Sequence, residues 1–364
     1  MPLLSFHSYS LWLNALIFLF SAGLIWGAGT FLERDADALS ERTGLGQAFT
    51  GLLLLSTATS LPEVTTTITA VAFLQNPTLA VYNLLGGVAL QTGILALADW
   101  AKRRAGALTY FRPRFVLLLQ GVGLLLLLQL TIAGITAHGR PVVVSVSVWT
   151  VAVFLVYLGT LYMTYRYRGH PRWTPTKADD VPREENPAAN ATGDRQNRSD
   201  HEDRAVQRPV PRLWLRFAGA SLVVLIAGWV VAQSADTLAD QTGLGDAFLG
   251  ATFLALATSL PEVSTTVAAS RNGRFSLAIS NIFGSNAFCV GLLFLAELLY
   301  RGGTILEQVK ESVVFVTAIG ALMTSIYLCG MLERQDRTVL GVGWDSAAAV
   351  TVYLGGMAVL YYLG

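Results

Sequence analysis

Two glutamates stand inside apolar stretches of this chain, and each stands in the same seven residues. "ATSLPEV" runs from Ala58 to Val64 and again from Ala257 to Val263. On a helix, Thr59, Glu63 and Thr66 fall at i, i+4 and i+7, which is one face, and Thr258, Glu262 and Thr265 repeat the pattern. Pro62 and Pro261 add a third kind of oxygen. A proline ring donates no backbone hydrogen bond and clashes with the carbonyl four residues earlier, which frees the carbonyls of Ala58 and Ala257. In an apolar medium a freed carbonyl needs a partner or a polar cavity. Hydroxyls, a carboxylate and free carbonyls together form the all-oxygen environment that hard cations such as Ca2+ and Na+ favour.

Taken singly, these residues have plainer readings. A proline in an apolar helix is most often a tolerated kink, and a threonine most often bonds back to its own helix. The glutamates are harder to explain away, because a carboxylate in a bilayer interior costs several kcal/mol, on the order of 3 or more. None of the apolar interiors supplies a Lys or Arg to pair with them, so a mobile cation or a proton is the partner that remains. The segments after each copy contribute amides and small residues. "NLLGGV" carries Asn83, with Gln91 beyond it, and "NIFGSN" carries Asn281, Ser285 and Asn286, with Cys289 beyond them. These side chains are candidate ligands or plain helix-to-helix hydrogen bonds. Asp99 and Glu297 occupy equivalent places near helix ends, where an interfacial charge is ordinary.

The elements that must position these groups are membrane helices. Of the 364 residues, 53% are hydrophobic and 13% charged, about half the charged fraction of a soluble domain. Long uncharged stretches, such as 115–137 and 141–165, exceed the roughly 18 residues a spanning helix needs. We expect an all-α integral membrane protein with ten transmembrane helices, at 9–31, 44–72, 78–98, 114–137, 142–165, 213–236, 244–270, 275–299, 311–332 and 340–362. The first is not read as a cleavable signal, since no Lys or Arg precedes it. With the N-terminus outside, 22 of the 25 Lys and Arg fall in inside segments, as the positive-inside rule asks. Both termini are then outside. Cys289 and Cys329 lie within spans and imply no disulfide framework. A net charge of +1 argues against a nucleic-acid partner.

The chain also repeats. Shifted by 199, residues 36–70 and 235–269 agree at 21 of 35 positions. Five helices separate the copies, and an odd number turns the second copy over in the membrane. The expected plan is two inverted-topology five-helix repeats, 1–165 and 212–364, which in secondary transporters set related half-sites near the bilayer midplane. Residues 166–211 join them. This stretch is rich in Pro, Asp, Glu, Asn and Arg, cannot form a core, and reads as a disordered cytoplasmic linker.

A ten-helix chain with T-S-L-P-E twice, inverted, and a later N-x-x-G-S-N resembles the calcium/cation antiporter superfamily, of the sodium/calcium exchanger type. The resemblance covers the repeat regions strongly and the remaining helices only as generic spans. It implies a membrane antiporter that moves Ca2+ against Na+, with Glu63, Thr59, Glu262 and Thr258 as ion ligands. It also implies roles for Ser285 and Cys289 in the second half and for Gly87 and Gln91 in the first. This sequence departs from the pattern. Relatives often carry Asp or Asn where Cys289 stands, and the first G-S-N serine is Gly87 here. A thiol suits softer cations better than hard ones. The resemblance further implies alternating access by movement of the first and sixth helices.

Two carboxylates are neutralised by one Ca2+, two Na+ or two protons, so Ca2+/Na+, Ca2+/H+ and Na+/H+ exchange all stay open. Protons rank second, because the G-N-A-x-E signature of proton-coupled members is missing. A degenerate homologue that binds ions without transporting them is a third reading. An enzyme is not expected, since neither H-E-x-x-H nor G-x-S-x-G occurs and all four histidines lie outside the spans. No cofactor is expected beyond the transported ions. The expected partners are Ca2+, Na+ and the lipid bilayer, with the chain working as a monomer. Short loops and small size suggest a prokaryotic inner membrane.

Overall fold

The computed structural model describes residues 6–43, 60–102, 106–110, 115–143, 146–167, 210–333, 335–339 and 341–363. Helix α1 is Leu11–Thr43, α2 is Leu61–Ile68 and α3 is Pro77–Ala101. A π-helical turn, Thr69–Phe73, continues α2. Helices α4 (Phe115–Thr136), α5 (Val148–Tyr167) and α6 (Val210–Thr242) follow. Helix α7 (Gly245–Thr258) meets α8 (Leu260–Arg271) at a bend of 56°. Helices α9 (Phe275–Leu299), α10 (Ser312–Glu333) and α11 (Trp344–Leu363) complete the chain. Two small antiparallel hairpins precede α5 and α11: β1 (Val142–Val143) with β2 (Val146–Ser147), and β3 (Thr338–Val339) with β4 (Val342–Gly343).

Among the described residues, seven helices are long and apolar enough to cross a membrane, or up to eight with the bent α7–α8 pair. The chain is a mostly helical, multi-pass membrane protein. Ten crossings were expected, and α2 and α11 are not among these seven or eight; α2 is described only from Leu61. The span expected at 44–72 falls partly on residues 44–59, outside the described residues, and the linker expected at 166–211 falls largely on 168–209, also outside.

Boundaries differ for physical reasons. The span expected at 142–165 starts as a hairpin, because alternating β-branched and small residues in "VVVSVSV" suit a strand, and the helix begins only at Val148. The last span likewise starts at Trp344, after its hairpin. Helices α1 and α6 are each 33 residues long and run past their apolar stretches into charged segments. The second motif helix, expected to be continuous at 244–270, breaks at Ser259 (φ −87°, ψ 5°). Pro261 cannot continue the ladder of α7, so a new helix starts just ahead of it.

The centre of the molecule is α3 and α9, which pack on each other and on α8; α9 also packs on α4, and α3 on α10. In α3, 89% of the most apolar window is buried, against 28% in α6 and 17% in α5. The outer helices turn large apolar residues outward, including Trp12, Leu16, Phe20, Leu155, Leu215 and Ile226, as a lipid-facing rim requires. Gly86 lets α3 cross the π turn Gly250–Leu254 of α7 at backbone contact: a Cβ there would stand 2.4 Å from Ala251 Cα.

Candidate cation site

Each motif copy starts a helix in the same way. Ser60 (φ −93°, ψ 8°) precedes α2 and Ser259 precedes α8, each in the same non-helical conformation. Proline follows at the second helical position and glutamate at the third. Glu63 and Glu262 therefore sit in the first turn of a helix, where the positive end of the helix dipole stabilises a carboxylate. Both are buried, at 2% and 0% exposure. Helix α7 ends on Thr258 beside the break, which leaves its negative dipole end there, as broken membrane helices do around cations.

The two copies meet at α3. Gln91, fully buried, donates from Nε2 to Ser259 Oγ at 2.9 Å and lies 3.4 Å from Glu63 Oε1. One amide thus touches the break of the second copy and the carboxylate of the first. The Thr258 hydroxyl donates to Ala255 O (3.2 Å) and is also within reach of the Glu63 carboxylate. On α9, Ser285 Oγ lies 3.4 Å from Glu262 Oε1. Cys289 lies one turn further along the same face of α9 and is 1% exposed.

The asparagines are mainly braces. Asn83 Nδ2 donates to Thr66 Oγ1 (3.1 Å), while Asn281 Nδ2 donates to Thr265 Oγ1 (3.0 Å) and Thr266 Oγ1 (3.1 Å). Thr66 and Thr265 in turn bond back to the carbonyls of Glu63 and Glu262, at 3.2 and 3.1 Å. Asn286 ties α9 to α3 through Thr92 Oγ1 (3.0 Å) and Val88 O (3.3 Å). The centre keeps acceptor oxygens in excess. Glu63 Oε2, Asn83 Oδ1, Gln91 Oε1 and Asn286 Oδ1 are buried and receive no hydrogen bond from the described residues. Buried oxygens without donors are costly unless something positive serves them. Among the described residues no three His, Cys, Asp or Glu side chains converge as a resident metal site would need.

Of the residues singled out in the sequence, Glu63, Gln91, Thr258, Glu262, Ser285 and Cys289 gather here. Asn83 and Asn281 buttress the threonines. Ala257 is buried in the last turn of α7, and Ala58 and Thr59 lie outside the described residues. Ser259 and Thr92 were missed. Ser259 belongs to the repeated heptapeptide and was findable there; Thr92 carries no sequence signal.

Asp99 and Glu297 are not ordinary interfacial charges. They are 0% and 2% exposed. Asp99 accepts from the backbone N–H of Leu108 (2.8 Å) and of Gly343 (2.5 Å), and pairs with Lys102. Glu297 accepts from Ile305 N (3.0 Å) and Ser147 N (2.9 Å). Each carboxylate ends a central helix and holds the hairpin of the other half of the chain.

A multi-pass helical bundle with two buried carboxylates, each in the first turn of a proline-led helix and both tied to the central helices α3 and α9, has the architecture of an ion transporter. The chain belongs to the sodium/calcium exchanger protein family, which matches residues 13–166 and 212–363. Members of this family are transporters, not enzymes. The inner membrane protein YrbG of Escherichia coli is 26% identical over 335 residues, covering 90% of each chain. The sodium/calcium exchanger MaX1 of Methanosarcina acetivorans is 29% identical over 142 residues, 39% of this chain and 38% of that protein. Among solved structures, the H+/Ca2+ exchanger CAX superposes with a TM-score of 0.66 at 12% identity, over 96% of this chain and 86% of that one. The sodium-calcium exchanger NCX_Mj, soaked with 10 mM Na+ and no Ca2+, gives 0.57 at 16% identity, over 96% and 99%. At these identities the two structures speak for the fold.

Proposed function

We propose that the chain is a secondary active antiporter that exchanges Ca2+ for Na+ by alternating access, at a mid-membrane site built on Glu63 and Glu262. The observation that carries this reading is Gln91, whose one amide nitrogen contacts Ser259 of one motif copy and Glu63 of the other. A cation at that place would meet both carboxylates, the Thr258 and Ser285 hydroxyls and the donor-free amide oxygens. The carbonyls of Ala58 and Ala257 and the Thr59 hydroxyl complete the proposed ligand set. Ca2+ and Na+ would compete for it, and competition is what lets one gradient drive the other.

The proposed architecture is ten crossings in two inverted halves, 1–165 and 212–364, with both termini outside and 166–211 as a cytoplasmic linker. Three correspondences support the repeat. The non-helical serines Ser60 and Ser259 and the helix starts that follow them match under the shift of 199. So do the threonine braces at Thr66 and Thr265. Gly29 of α1 packs on Pro261, and Gly228 of α6, also 199 residues on, packs on Thr65. A monomer is the proposed working unit.

A second reading replaces Na+ with protons, because two protons neutralise the same carboxylate pair. One experiment separates the readings: radiolabelled Ca2+ uptake into proteoliposomes loaded with Na+, beside Na+-free and pH-gradient vesicles. Uptake that requires internal Na+ and is lost in the Glu63→Gln/Glu262→Gln variant supports Na+ coupling through this pair. Uptake driven only by the pH gradient supports the second reading. Uptake that survives the double substitution refutes both.

A further inference from the structure

The net charge that a carrier moves depends on the fixed charges around its cation. Two buried carboxylates stand at this centre, Glu63 and Glu262, each in the first turn of its own motif helix. Among the described residues no group of three His, Cys, Asp or Glu side chains is placed to hold a metal ion, so no third acid joins the pair. The polar groups that touch the two motif copies here are neutral: the hydroxyls of Thr258, Ser259 and Ser285 and the amide of Gln91.

Gln91 is fully buried on α3, and its amide nitrogen carries two hydrogens. That nitrogen donates to Ser259 Oγ at 2.9 Å and to Glu63 Oε1 at 3.4 Å. Both hydrogens are therefore directed at acceptors that a cation could otherwise serve. The amide does there part of what a bound monovalent cation would do, and it brings no negative charge. Uncompensated charge is costly in a bilayer interior. One Ca2+ neutralises two carboxylates, and so do two monovalent cations. A third monovalent cation would leave one positive charge in excess and would face the amide hydrogens.

We propose that Gln91 fixes the coupling of this carrier at one Ca2+ for two monovalent cations, so that exchange moves no net charge. This rests on the reading of Glu63 and Glu262 as the transport centre and deepens it by assigning the stoichiometry. A carboxylate in place of Gln91 removes the donor and adds the missing charge. It then admits a third monovalent cation, and exchange becomes sensitive to voltage.

The test uses purified full-length protein in proteoliposomes. An outward Na+ gradient drives radiolabelled Ca2+ uptake while K+ and valinomycin hold the potential at zero or at about 100 mV of either sign. Steady Ca2+ accumulation by the unaltered protein is expected to be equal at all three potentials. Exchange that carries one net charge would shift it by about fiftyfold per 100 mV. Gln91→Glu is expected to show that shift, with Gln91→Asp taking its place if only the latter elutes as a single folded species. Gln91→Met removes the donor without adding charge and is expected to stay indifferent to the potential, which separates charge from packing. Voltage-dependent accumulation by the unaltered protein overturns the proposal and leaves Ca2+/Na+ exchange standing. A carboxylate variant that transports and ignores the potential overturns the assignment to Gln91. Uptake that is driven only by a pH gradient, and is indifferent to the potential, sinks Na+ coupling and supports the one-for-two exchange.

Discussion

At the scale of single residues, Gln91 is the side chain on which both motif copies converge. Its amide donates toward a buried carboxylate, and hydrogen bonds to charged groups contribute about 1.5–3 kcal/mol. Gln91→Leu keeps the volume and removes the donor. The ion-free variant should therefore lose about 1.5–3 kcal/mol of stability, read as a lower melting temperature in detergent. Saturating Ca2+ should recover part of that loss, because a cation can serve the Glu63 oxygen that the amide leaves. An equal Ca2+-induced rise in melting temperature in both proteins would place Gln91 away from the ion. Glu63 and Glu262 were legible in the sequence because a carboxylate in an apolar run is anomalous by itself. Gln91 was legible as an amide in the apolar helix after the first motif, and the family resemblance pointed to the same position. That Asn83 and Asn281 mainly brace threonines could not be read, because an amide has the same composition whether it holds an ion or a neighbouring helix.

At the scale of elements, the two long helices α1 and α6 meet the motif helices through glycine. A Cβ on Gly29 would stand 2.5 Å from Pro261 Cγ, and one on Gly228 would stand 2.9 Å from Thr65 Cβ. Beside the first contact, the Trp26 indole donates to Ser264 Oγ at 2.5 Å. Helix α1 thus lies on the half-helix that carries Glu262, and α6 on the one that carries Glu63. If these helices move across the core during exchange, they move on these contacts. Gly29→Ala should strain the contact by about 1–3 kcal/mol and slow exchange. Gly23 and Gly27 on the same helix meet nothing within 4 Å, so their alanine variants control for helix propensity. Those two should stay within about 0.5 kcal/mol of the unaltered protein or gain slightly. Initial Ca2+ uptake rates and melting temperatures of the three variants check this, and equal behaviour of all three would dismiss the contact. The break before α8 was foreshadowed by Pro261, whose missing N–H acts locally. The hairpins before α5 and α11 were not foreseen, because an apolar run rich in valine satisfies a hydropathy window whether it is strand or helix.

At the scale of the whole molecule, the two halves are fastened to each other by exchange of parts. Asp99 ends the central helix of the first half and holds Gly343 in the hairpin of the second, while Glu297 ends the central helix of the second and holds Ser147 in the hairpin of the first. Nothing in the sequence around Asp99 or Glu297 announces this, since the partner of each lies 244 or 150 residues away. A charge near a helix end looks interfacial until a distant hairpin covers it. Each carboxylate accepts two backbone N–H bonds while almost fully buried. Asp99→Asn and Glu297→Gln preserve volume but replace one oxygen with a donor that faces another donor. Each should cost about 1–3 kcal/mol, and their separation should make the two costs nearly additive. Melting temperatures of the single and double variants check that sum. The same contacts predict how the halves behave without their covalent link. A protease site placed within 168–209 should let the chain be cut, and the two pieces of the unaltered protein should still elute together in detergent. In the Asp99→Asn/Glu297→Gln variant a larger fraction should separate, because the packing of α3 on α9 then acts with both hairpin locks weakened. Equal retention in cut variant and cut parent would mean that helix packing alone holds the halves, with the carboxylates setting only the local geometry of the hairpins.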